Sequence, residues 1–243
     1  MAKTFKFKKF TIKQDRCAMK IGTDGVLLGA WVSLKDNPRN ILDIGAGTGI
    51  IALQMAQRSE DLSSQNVETI DAIEMNTDAY EQCVENFEDS PWNDRLFCYH
   101  ASLQEFVDEI EDKYDLIISN PPFYTDRYIS KNKLRSEARS TITLPFTDLL
   151  ESVSELLSEN GRFAVIIPVK EEKVFTELAN ENHLFPKRIC KVQGSTNTNP
   201  KRTLIEFSRR KESTLLEELT IELSRHHYTR EYISLVKDFY LKM

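Results

Sequence analysis

The sequence predicts an α/β fold with a doubly wound, mainly parallel seven-stranded sheet, a C-terminal antiparallel hairpin and a short N-terminal extension. Two observations lead to this prediction. From residue 40 onward, short apolar runs typical of buried strands alternate with helical patterns. The first such strand, residues 40–44, leads into the glycine-rich turn 45–49 and then directly into a helical pattern.

The other elements follow in chain order, and the sheet closes with two strands joined by a turn-rich segment. Strands are predicted at residues 67–74, 95–99, 114–119, 162–167, 185–193 and 203–208. Helices are predicted at residues 50–56, 78–88, 102–110, 146–158, 171–181 and 231–242. We expect residues 1–39 to be an extension that packs on one domain formed by residues 40–243. The long polar connection 124–143 is typical of a functional lid or a disordered segment.

The composition is that of an ordinary globular protein. The chain has 243 residues, of which 40% are hydrophobic and 29% charged, enough for one α/β domain with a sizeable core. Its apolar runs are shorter than the roughly 18 residues of a membrane span, and its first residues lack the apolar region of a signal peptide. The four cysteines are scattered, which favours reduced thiols, and we expect a cytoplasmic protein without a metal.

The distribution of charge differs from the net charge of −6. Lys and Arg are in excess in three stretches, residues 1–20, 124–139 and 183–211. Because local sign decides whether a phosphate backbone can dock, these stretches favour a nucleic-acid partner. The alternative is that each of them is a solvated face or loop.

The most informative motif is Asn120-Pro121-Pro122-Phe123. It follows a predicted buried strand, and ligands of open α/β sheets bind at the carboxyl ends of strands. The Asn side chain and the neighbouring main-chain carbonyls are hydrogen-bond acceptors, which the prolines hold in place. Phe123 offers a flat face for stacking. The motif therefore suits a planar amine, with two acceptors for its two N–H groups.

The glycine turn predicts the second ligand. Its spacing, Gly45, Gly47 and Gly49, lacks the last glycine of the dinucleotide fingerprint. Asp43, two residues earlier, would repel a pyrophosphate but attract a cation. Glu74, after the second strand, is placed to accept hydrogen bonds from ribose hydroxyls. A ligand with a ribose, a positive charge and no phosphate is S-adenosylmethionine. For the turn alone, a tight strand–helix connection without a ligand is the alternative.

With these motifs in place, the chain resembles the Rossmann-like class I S-adenosylmethionine-dependent methyltransferases that modify exocyclic amines. The N-terminal segments 10–20 and 23–31 are similar to those of the bacterial tRNA1(Val) (adenine-37-N6)-methyltransferases. The resemblance spans residues 10–210 and implies transfer of a methyl group to adenine N6 in tRNA, most specifically adenine 37 in the anticodon loop. The product of the cofactor would be S-adenosylhomocysteine, and we favour a monomer.

The resemblance also implies residue roles. The glycine turn would hold the methionine moiety of the cofactor, Glu74 the ribose, and Met75 the adenine face. Met75 has a core residue as its alternative. The remaining cofactor contacts implied are Lys20, Thr23, Asp24, Ala101, Ser102 and Asn120. Many relatives carry Asp where this chain has Ala101 and Ser102. Thr23 and Asp24 would cover the methionine end, or else cap a helix N-terminus.

In the implied mechanism Asn120 and Pro121 accept the two N6 hydrogens, and Phe123 supports the base, so these three are the candidate catalytic residues. Tyr124 could also contact the base, and the remaining RNA contacts would be basic. The basic candidates are Arg127, Lys131, Lys133, Arg135, Arg139, Lys187, Arg188, Lys201 and Arg202, with the N-terminal lysines. An adenine in a single-stranded loop is easily splayed out for such a site.

Other functions remain open at this point. Ribosomal RNA or DNA adenine would present the same amine, and protein-glutamine N5-methyltransferases share an Asn-Pro-Pro-aromatic motif. Those enzymes carry a helical N-terminal domain, which residues 1–39 are too short to supply. A dinucleotide oxidoreductase is disfavoured by the missing glycine, with Ile50 in its place. A non-catalytic RNA-binding module would leave Asn120 unexplained.

Overall fold

The computed structural model describes residues 4–60, 67–122 and 144–243. Its helices are α1 (Thr23–Trp31), α2 (Ile50–Glu60), α3 (Thr77–Glu88), α4 (Leu103–Glu109), α5 (Phe146–Leu156), α6 (Glu172–Glu181) and α7 (Arg230–Val236). Its strands are β1 (Thr4–Lys6), β2 (Thr11–Lys13), β3 (Asn40–Ile44), β4 (Thr69–Ile73), β5 (Leu96–Tyr99), β6 (Tyr114–Ser119), β7 (Leu157–Pro168), β8 (Phe185–Ser195), β9 (Arg202–Ser208), β10 (Leu215–Ser224) and β11 (His227–Tyr228). None of the helices in these ranges has the length and apolar character needed to cross a membrane.

One large sheet organises the described chain, with strand order β11-β10-β8-β9-β7-β6-β3-β4-β5. Strands β3 to β7 are parallel to one another, whereas β9 is antiparallel to both of its neighbours, β7 and β8. The predicted fold class, a mainly parallel α/β sheet with an antiparallel hairpin, is confirmed. The predicted strand number is corrected from seven to nine in this sheet, because β10 adds in parallel to β8 and β11 folds back on β10.

Successive side chains of the strands point to opposite faces of the sheet and belong to two hydrophobic layers, one on each face. In β3, Ile41 belongs to one layer, and Leu42 and Ile44 belong to the other. Helices α1, α2, α3 and α7 cover the first face, and α4, α5 and α6 cover the second. Because strand side chains alternate with a period of two, Asp43 shares the face of Ile41 and lies under α2.

The N-terminal strands β1 and β2 form a separate antiparallel hairpin. Its aromatic residues join the first hydrophobic layer, where Phe10 meets Trp92 edge-on at 5.9 Å between ring centroids. Phe7 forms a backbone bridge with Tyr240 near the C-terminus. The hairpin thus contacts both α3's connection to β5 and the C-terminal segment. The boundary between residues 39 and 40 stays a prediction.

Candidate active site

The three sequence motifs meet at the carboxyl edge of the sheet. Ile44, the last residue of β3, pairs with Ile73 of β4 on one side and with Ser119 of β6 on the other. The glycine turn, Glu74 and Asn120 directly follow these three strand ends. Ser119 Oγ also donates to the Ile44 carbonyl at 3.0 Å. Neighbouring parallel strands therefore deliver the motifs to one place, the crevice where such sheets bind ligands.

The glycine turn needs glycine for two separate reasons. Gly45, Gly47 and Gly49 have φ angles of 74°, 55° and 76°, in the left-handed region that side chains disfavour. A Cβ atom on Gly45 or Gly47 would meet nothing within 4 Å, so both border open space. A Cβ on Gly49 would instead lie 2.5 Å from Phe87 Cε1. The first two glycines therefore leave room for a ligand, and the third lets α2 pack closely on α3.

Glu74 is held directly over the glycine turn. Its Oε2 accepts from the Gly47 amide at 2.9 Å, and its Oε1 accepts from the Asn76 amide at 2.8 Å. Each carboxylate oxygen has a further lone pair for a ligand hydroxyl. This geometry fixes the carboxylate between the end of β4 and the turn after β3.

Asp43 lies beneath the same turn and is almost fully buried. Its Oδ2 accepts from the Ala52 amide at 3.2 Å, but its Oδ1 has no hydrogen-bond partner among the described residues. Burial raises the pKa of this carboxyl from 3.8 to about 7, although the Ala52 bond opposes the shift, and the charge of Glu74 adds to it. A buried carboxyl with a free oxygen is poised to interact with a cation.

The segment after β4 contains an exposed methionine, Met75, and the segment after β5 begins the helix α4 with a side-chain cap. Met75 is 49% exposed, so its alternative assignment as a core residue is wrong. Its carbonyl lies 3.1 Å from His100 Nε2, and the His100 ring stacks on Tyr80. Ser102 caps α4, because its hydroxyl accepts from the Glu105 amide at 3.3 Å and donates to the Glu105 carboxylate. Ala101, next to Ser102, is partly buried.

Asn120 lies beside the start of α1, far away in sequence. A Cβ atom on Gly25 would lie 3.8 Å from Asn120 Nδ2 and 3.3 Å from Ile50 Cγ2. Pro121 is buried, while Asn120 and Pro122 are partly buried. The first turn of α1 therefore closes one side of the site, next to the Asn120 amide.

Residues at the start of α1 make different contacts from those of a helix cap. Gly22 occupies the N-cap position without a side-chain cap bond, so the alternative that Thr23 or Asp24 caps this helix is wrong. Asp24 instead accepts from Arg202 Nε at 2.8 Å. Lys20 donates to the Gln14 carbonyl and, at 3.3 Å, to the Cys17 carbonyl.

The candidate basic residues separate into different regions. The pairing of Arg202 with Pro168, at the end of β7, brings Arg202 and the exposed Lys201 to the carboxyl edge. Lys187 lines a cleft with Arg39 and Arg162 near the opposite edge of the sheet. Lys187 also lies 3.9 Å from Glu212. Lys187 therefore lies away from the glycine turn, and its predicted RNA contact stays a prediction.

Arg188 is partly buried, and its guanidinium is engaged by neighbouring side chains. Its guanidinium lies 4.0 Å above the Trp31 ring, and its Nε donates to Glu217 at 2.9 Å. Its Nη1 is 3.6 Å from the buried Glu206. These contacts balance buried negative charge and stabilise the packing of α1 on β8, which gives Arg188 a structural role. Its predicted RNA contact stays a prediction.

Several candidates lie outside the described residues, and their roles stay predictions. They are Phe123, Tyr124, Arg127, Lys131, Lys133, Arg135 and Arg139. Within residues 4–60, 67–122 and 144–243, the structure contains no group of three or more His, Cys, Asp or Glu side chains suited to a metal ion.

Sequence reasoning missed two buried amides of α3, Gln82 and Asn86, which contact the N-terminal segment and the glycine turn. The signal was present, since both residues fall on the buried stripe of α3 with Ala79, Cys83 and Phe87. Amides in an apolar stripe need partners, and here those partners are at the site.

Comparisons with known proteins agree with this geometry. The family model "Methyltransferase small domain" matches residues 22–175. A predicted O-methyltransferase from Agrobacterium tumefaciens, known from its crystal structure, has a TM-score of 0.65 at 16% identity, covering 89% of this chain and 96% of that one. A ribosomal protein L11 methylase from Lactobacillus delbrueckii has a TM-score of 0.51, also at 16% identity, covering 77% of each chain. Both show the same fold.

Curated relatives are much more similar. A tRNA1(Val) (adenine(37)-N6)-methyltransferase from Christiangramia forsetii is 56% identical over 241 residues, covering 98% of each chain. One from Trichodesmium erythraeum is 46% identical over 238 residues, again covering 98% of each chain. The resemblance expected from the N-terminal segments and the three motifs is thereby confirmed: this chain belongs to the tRNA1(Val) (adenine(37)-N6)-methyltransferase family.

Proposed function

We propose that this protein transfers a methyl group from S-adenosylmethionine to the exocyclic N6 of an adenine in tRNA, adenine 37 of tRNA1(Val). The observation that carries the proposal is the convergence of Asp43, Glu74 and Asn120 around the glycine turn at one sheet edge. The names of the curated relatives supply the substrate. Both observations are needed, because the three motifs identify the chemistry and the names of the relatives identify the polymer that carries the amine.

The residues present fit this cofactor. Two carboxyl groups, Asp43 and Glu74, flank the turn, which suits a cation and disfavours a phosphate. The open space beside Gly45 and Gly47 would take the methionine moiety, and Glu74 the ribose. The exposed Met75 would pack on the adenine, with the Ala101–Ser102 main chain at its border because the Ser102 hydroxyl already caps α4.

The N-terminal contacts of the cofactor would come from α1. We assign Thr23 and Asp24 to its methionine end, since the neighbouring Gly25 lies beside Asn120. Lys20 would act through the segment it holds, because its ammonium group is bonded to the carbonyls of Gln14 and Cys17.

The chemistry at Asn120 follows from the amine. The N6 lone pair of adenine is delocalised into the ring and is a poor nucleophile. The Asn120 side-chain oxygen and the Pro121 carbonyl would accept the two hydrogens and turn the lone pair out of the ring plane. When bound, S-adenosylmethionine supplies an electrophilic methyl group on a positively charged sulfur. The amine proton leaves after transfer, so positioning and not proton abstraction is the main contribution of these residues.

The proposed RNA surface combines described and undescribed residues. Phe123 or Tyr124 would take the base face, and the basic residues between 127 and 139 would contact phosphates. Lys201 and Arg202 lie at the carboxyl edge of the sheet and are included. Lys187 is left out because it lines the cleft near the opposite edge of the sheet, and Arg188 because its guanidinium stacks on Trp31.

Lys13 and Arg16 of the N-terminal segment are also left out. Lys13 pairs with Asp89 at 2.8 Å, and Arg16 pairs with Glu81 at 3.0 Å, so their charge is balanced by α3 and its C-cap. We further propose that the protein acts in the cytoplasm as a monomer, without a metal, on the anticodon loop.

The test is methyl transfer from cofactor carrying a tritiated methyl group. Unmodified tRNA, ribosomal RNA, DNA and a peptide release factor are offered side by side. We expect label in tRNA, at N6 of adenine 37 when the labelled nucleotide is mapped, and no label with Asn120→Ala. Label in ribosomal RNA, DNA or the release factor and not in tRNA would reject the proposed substrate, while cofactor binding without transfer to any of them would reject the reaction.

A further inference from the structure

Residues 13–25, called the strap below, run from the last residue of β2 to the first turn of α1 beside the candidate site. At its end, Gly25 lies beside Asn120. In its middle, burial raises the pKa of the Cys17 thiol to about 11, with a further contribution from the nearby charge of Glu74. At its beginning, Lys13 is linked through one side chain to Thr48 in the glycine turn. The strap is therefore tied to the glycine turn at its beginning and lies beside Asn120 at its end.

Asn86 makes that link at the beginning of the strap. It is 1% exposed. Its Oδ1 accepts from the Lys13 amide at 2.8 Å, and its Nδ2 donates to the Lys13 carbonyl at 2.9 Å. The same Nδ2 donates to the Thr48 carbonyl at 2.9 Å. One side chain thus holds the main chain of the strap and the main chain of the glycine turn at a fixed separation.

Gln82, one helical turn before Asn86, holds the middle of the strap. It is also 1% exposed. Its Oε1 accepts from the amides of Arg16 and Cys17 at 3.0 and 3.2 Å, and its Nε2 donates to Asp15 at 2.8 Å. The strap reinforces itself at its far end, where Gln14 Oε1 accepts from the Ile21 amide at 2.9 Å.

We propose that Gln82 and Asn86 are positioning residues that hold the strap over the cofactor and thereby set the affinity for S-adenosylmethionine, an inference that rests on the proposed function. Both side chains use their hydrogen-bonding groups on the strap and the glycine turn, so their loss frees this cover directly. Neither residue touches the reacting atoms in this assignment. Their removal should therefore affect cofactor binding far more than the rate at saturating cofactor.

The chain offers a matched control in Gln57 of α2. Gln57 is 1% exposed, like Gln82, and its Nε2 donates to a main-chain carbonyl of a distant segment, that of Asp238, at 2.9 Å. Asp238 follows α7, so this bond holds the C-terminal segment and not the strap. Replacing either Gln by Met keeps the volume and removes the hydrogen bonds.

The experiment compares Gln82→Met, Gln57→Met and the unaltered chain by calorimetric titration with S-adenosylmethionine, by thermal unfolding and by steady-state kinetics. We expect Gln82→Met to lower Tm more than Gln57→Met, because Gln82 makes three hydrogen bonds and Gln57 makes one while its Oε1 is unpaired among the described residues. Only Gln82→Met should raise the Kd for S-adenosylmethionine, roughly tenfold for three lost hydrogen bonds, with its KM for tRNA unchanged and kcat within about twofold.

Equal changes of cofactor Kd in Gln82→Met and Gln57→Met, or no change in either, would overturn this inference while leaving the proposed function intact. Failure of the unaltered chain to bind S-adenosylmethionine would overturn both. Should Gln82→Met not fold, Asn86→Asp provides the comparison, because it keeps the acceptor for the Lys13 amide and loses both donors. A Kd unchanged by Asn86→Asp would likewise reject the positioning role.

Discussion

Arg202 donates through Nε to the Asp24 carboxylate at 2.8 Å, across 178 residues of sequence. The pair joins the first turn of α1 to the first residue of β9, both at the carboxyl edge of the sheet. Each residue had a separate expected role, Asp24 toward the cofactor and Arg202 toward RNA. Their direct contact means that a change in one residue alters the environment of the other.

Arg202→Ala is therefore expected to raise the KM for both tRNA and S-adenosylmethionine. Both side chains are about a third exposed, at 34% and 28%, so the pair is worth under about 1 kcal/mol and the cofactor effect is roughly two- to fivefold. Lys201→Ala, at the neighbouring exposed cation, should raise only the KM for tRNA. The same cofactor KM in both variants would show that the ion pair does not couple the two ligands.

Asn120→Ala is expected to remove methyl transfer while leaving S-adenosylmethionine affinity nearly unchanged. The amide oxygen is assigned to the adenine amine, and the neighbouring buried Pro121 keeps the backbone in place. Single-turnover transfer and calorimetric binding measure the two effects separately. A parallel loss of both would mean that Asn120 mainly supports the cofactor, which would contradict its assigned role.

Gly49→Ala should destabilise the protein more than Gly47→Ala. Both positions have positive φ, which costs an alanine about 1–2 kcal/mol. Only at Gly49 does the new Cβ also overlap Phe87 and Cys83, at 2.5 and 2.9 Å, which adds about 1–3 kcal/mol of overpacking. Urea unfolding measures this difference. Gly47→Ala should instead weaken cofactor binding, because its methyl group enters the open space; equal stabilities of the two variants would contradict this account.

Asp43 predicts a pH dependence of stability in the cofactor-free protein. Its pKa is raised from 3.8 to about 7, so the folded state binds a proton that the unfolded state has released. The stabilisation is complete below about pH 4 and is lost as the pH rises to about 7, by up to about 1.4 kcal/mol per pH unit. Asp43→Asn should flatten the unfolding free energy between pH 4 and 7. An unchanged pH profile in that variant would place the titration elsewhere.

The separation of the basic residues predicts two different salt responses. Lys201→Glu should weaken tRNA binding and reduce the slope of log K against log salt by about one, as expected for a lost phosphate contact. Lys187→Glu, near the opposite edge of the sheet, should leave both unchanged. Filter binding across a salt series measures the slopes. An equal effect of the two variants would return Lys187 to the RNA surface.

Local sequence was enough to predict the strands that carry the site. The burial of β3 and β6 leaves short, mainly apolar runs, and the positive φ angles of the turn explain why its residues are glycines. Both signals act between residues close in the chain. Strands that are parallel neighbours end at the same edge, so the meeting of Glu74 with the glycine turn followed from the predicted fold class.

Pairing between strands that are distant in the chain could not be predicted from local sequence patterns. Strand β10 buries one residue, Leu219, and so carries almost no amphipathic pattern; it is a strand because its main chain pairs with β8. The same register places Arg188 over Trp31 and beside Glu217, whereas its neighbour Lys187 lines the far cleft.

Motifs and their spacing therefore predicted the fold class and a methyl donor as ligand, and the resemblance of the chain to known enzymes predicted the family. The roles of the individual charged and amide side chains were decided only by the tertiary structure, which sets the partners they contact. Arg202 reaches Asp24, and Asn86 joins Lys13 to Thr48, through contacts between segments far apart in the chain. A charged or amide group forms a hydrogen bond only with a partner within about 3 Å. For these residues, sheet register and helix packing determine which partner lies within that distance.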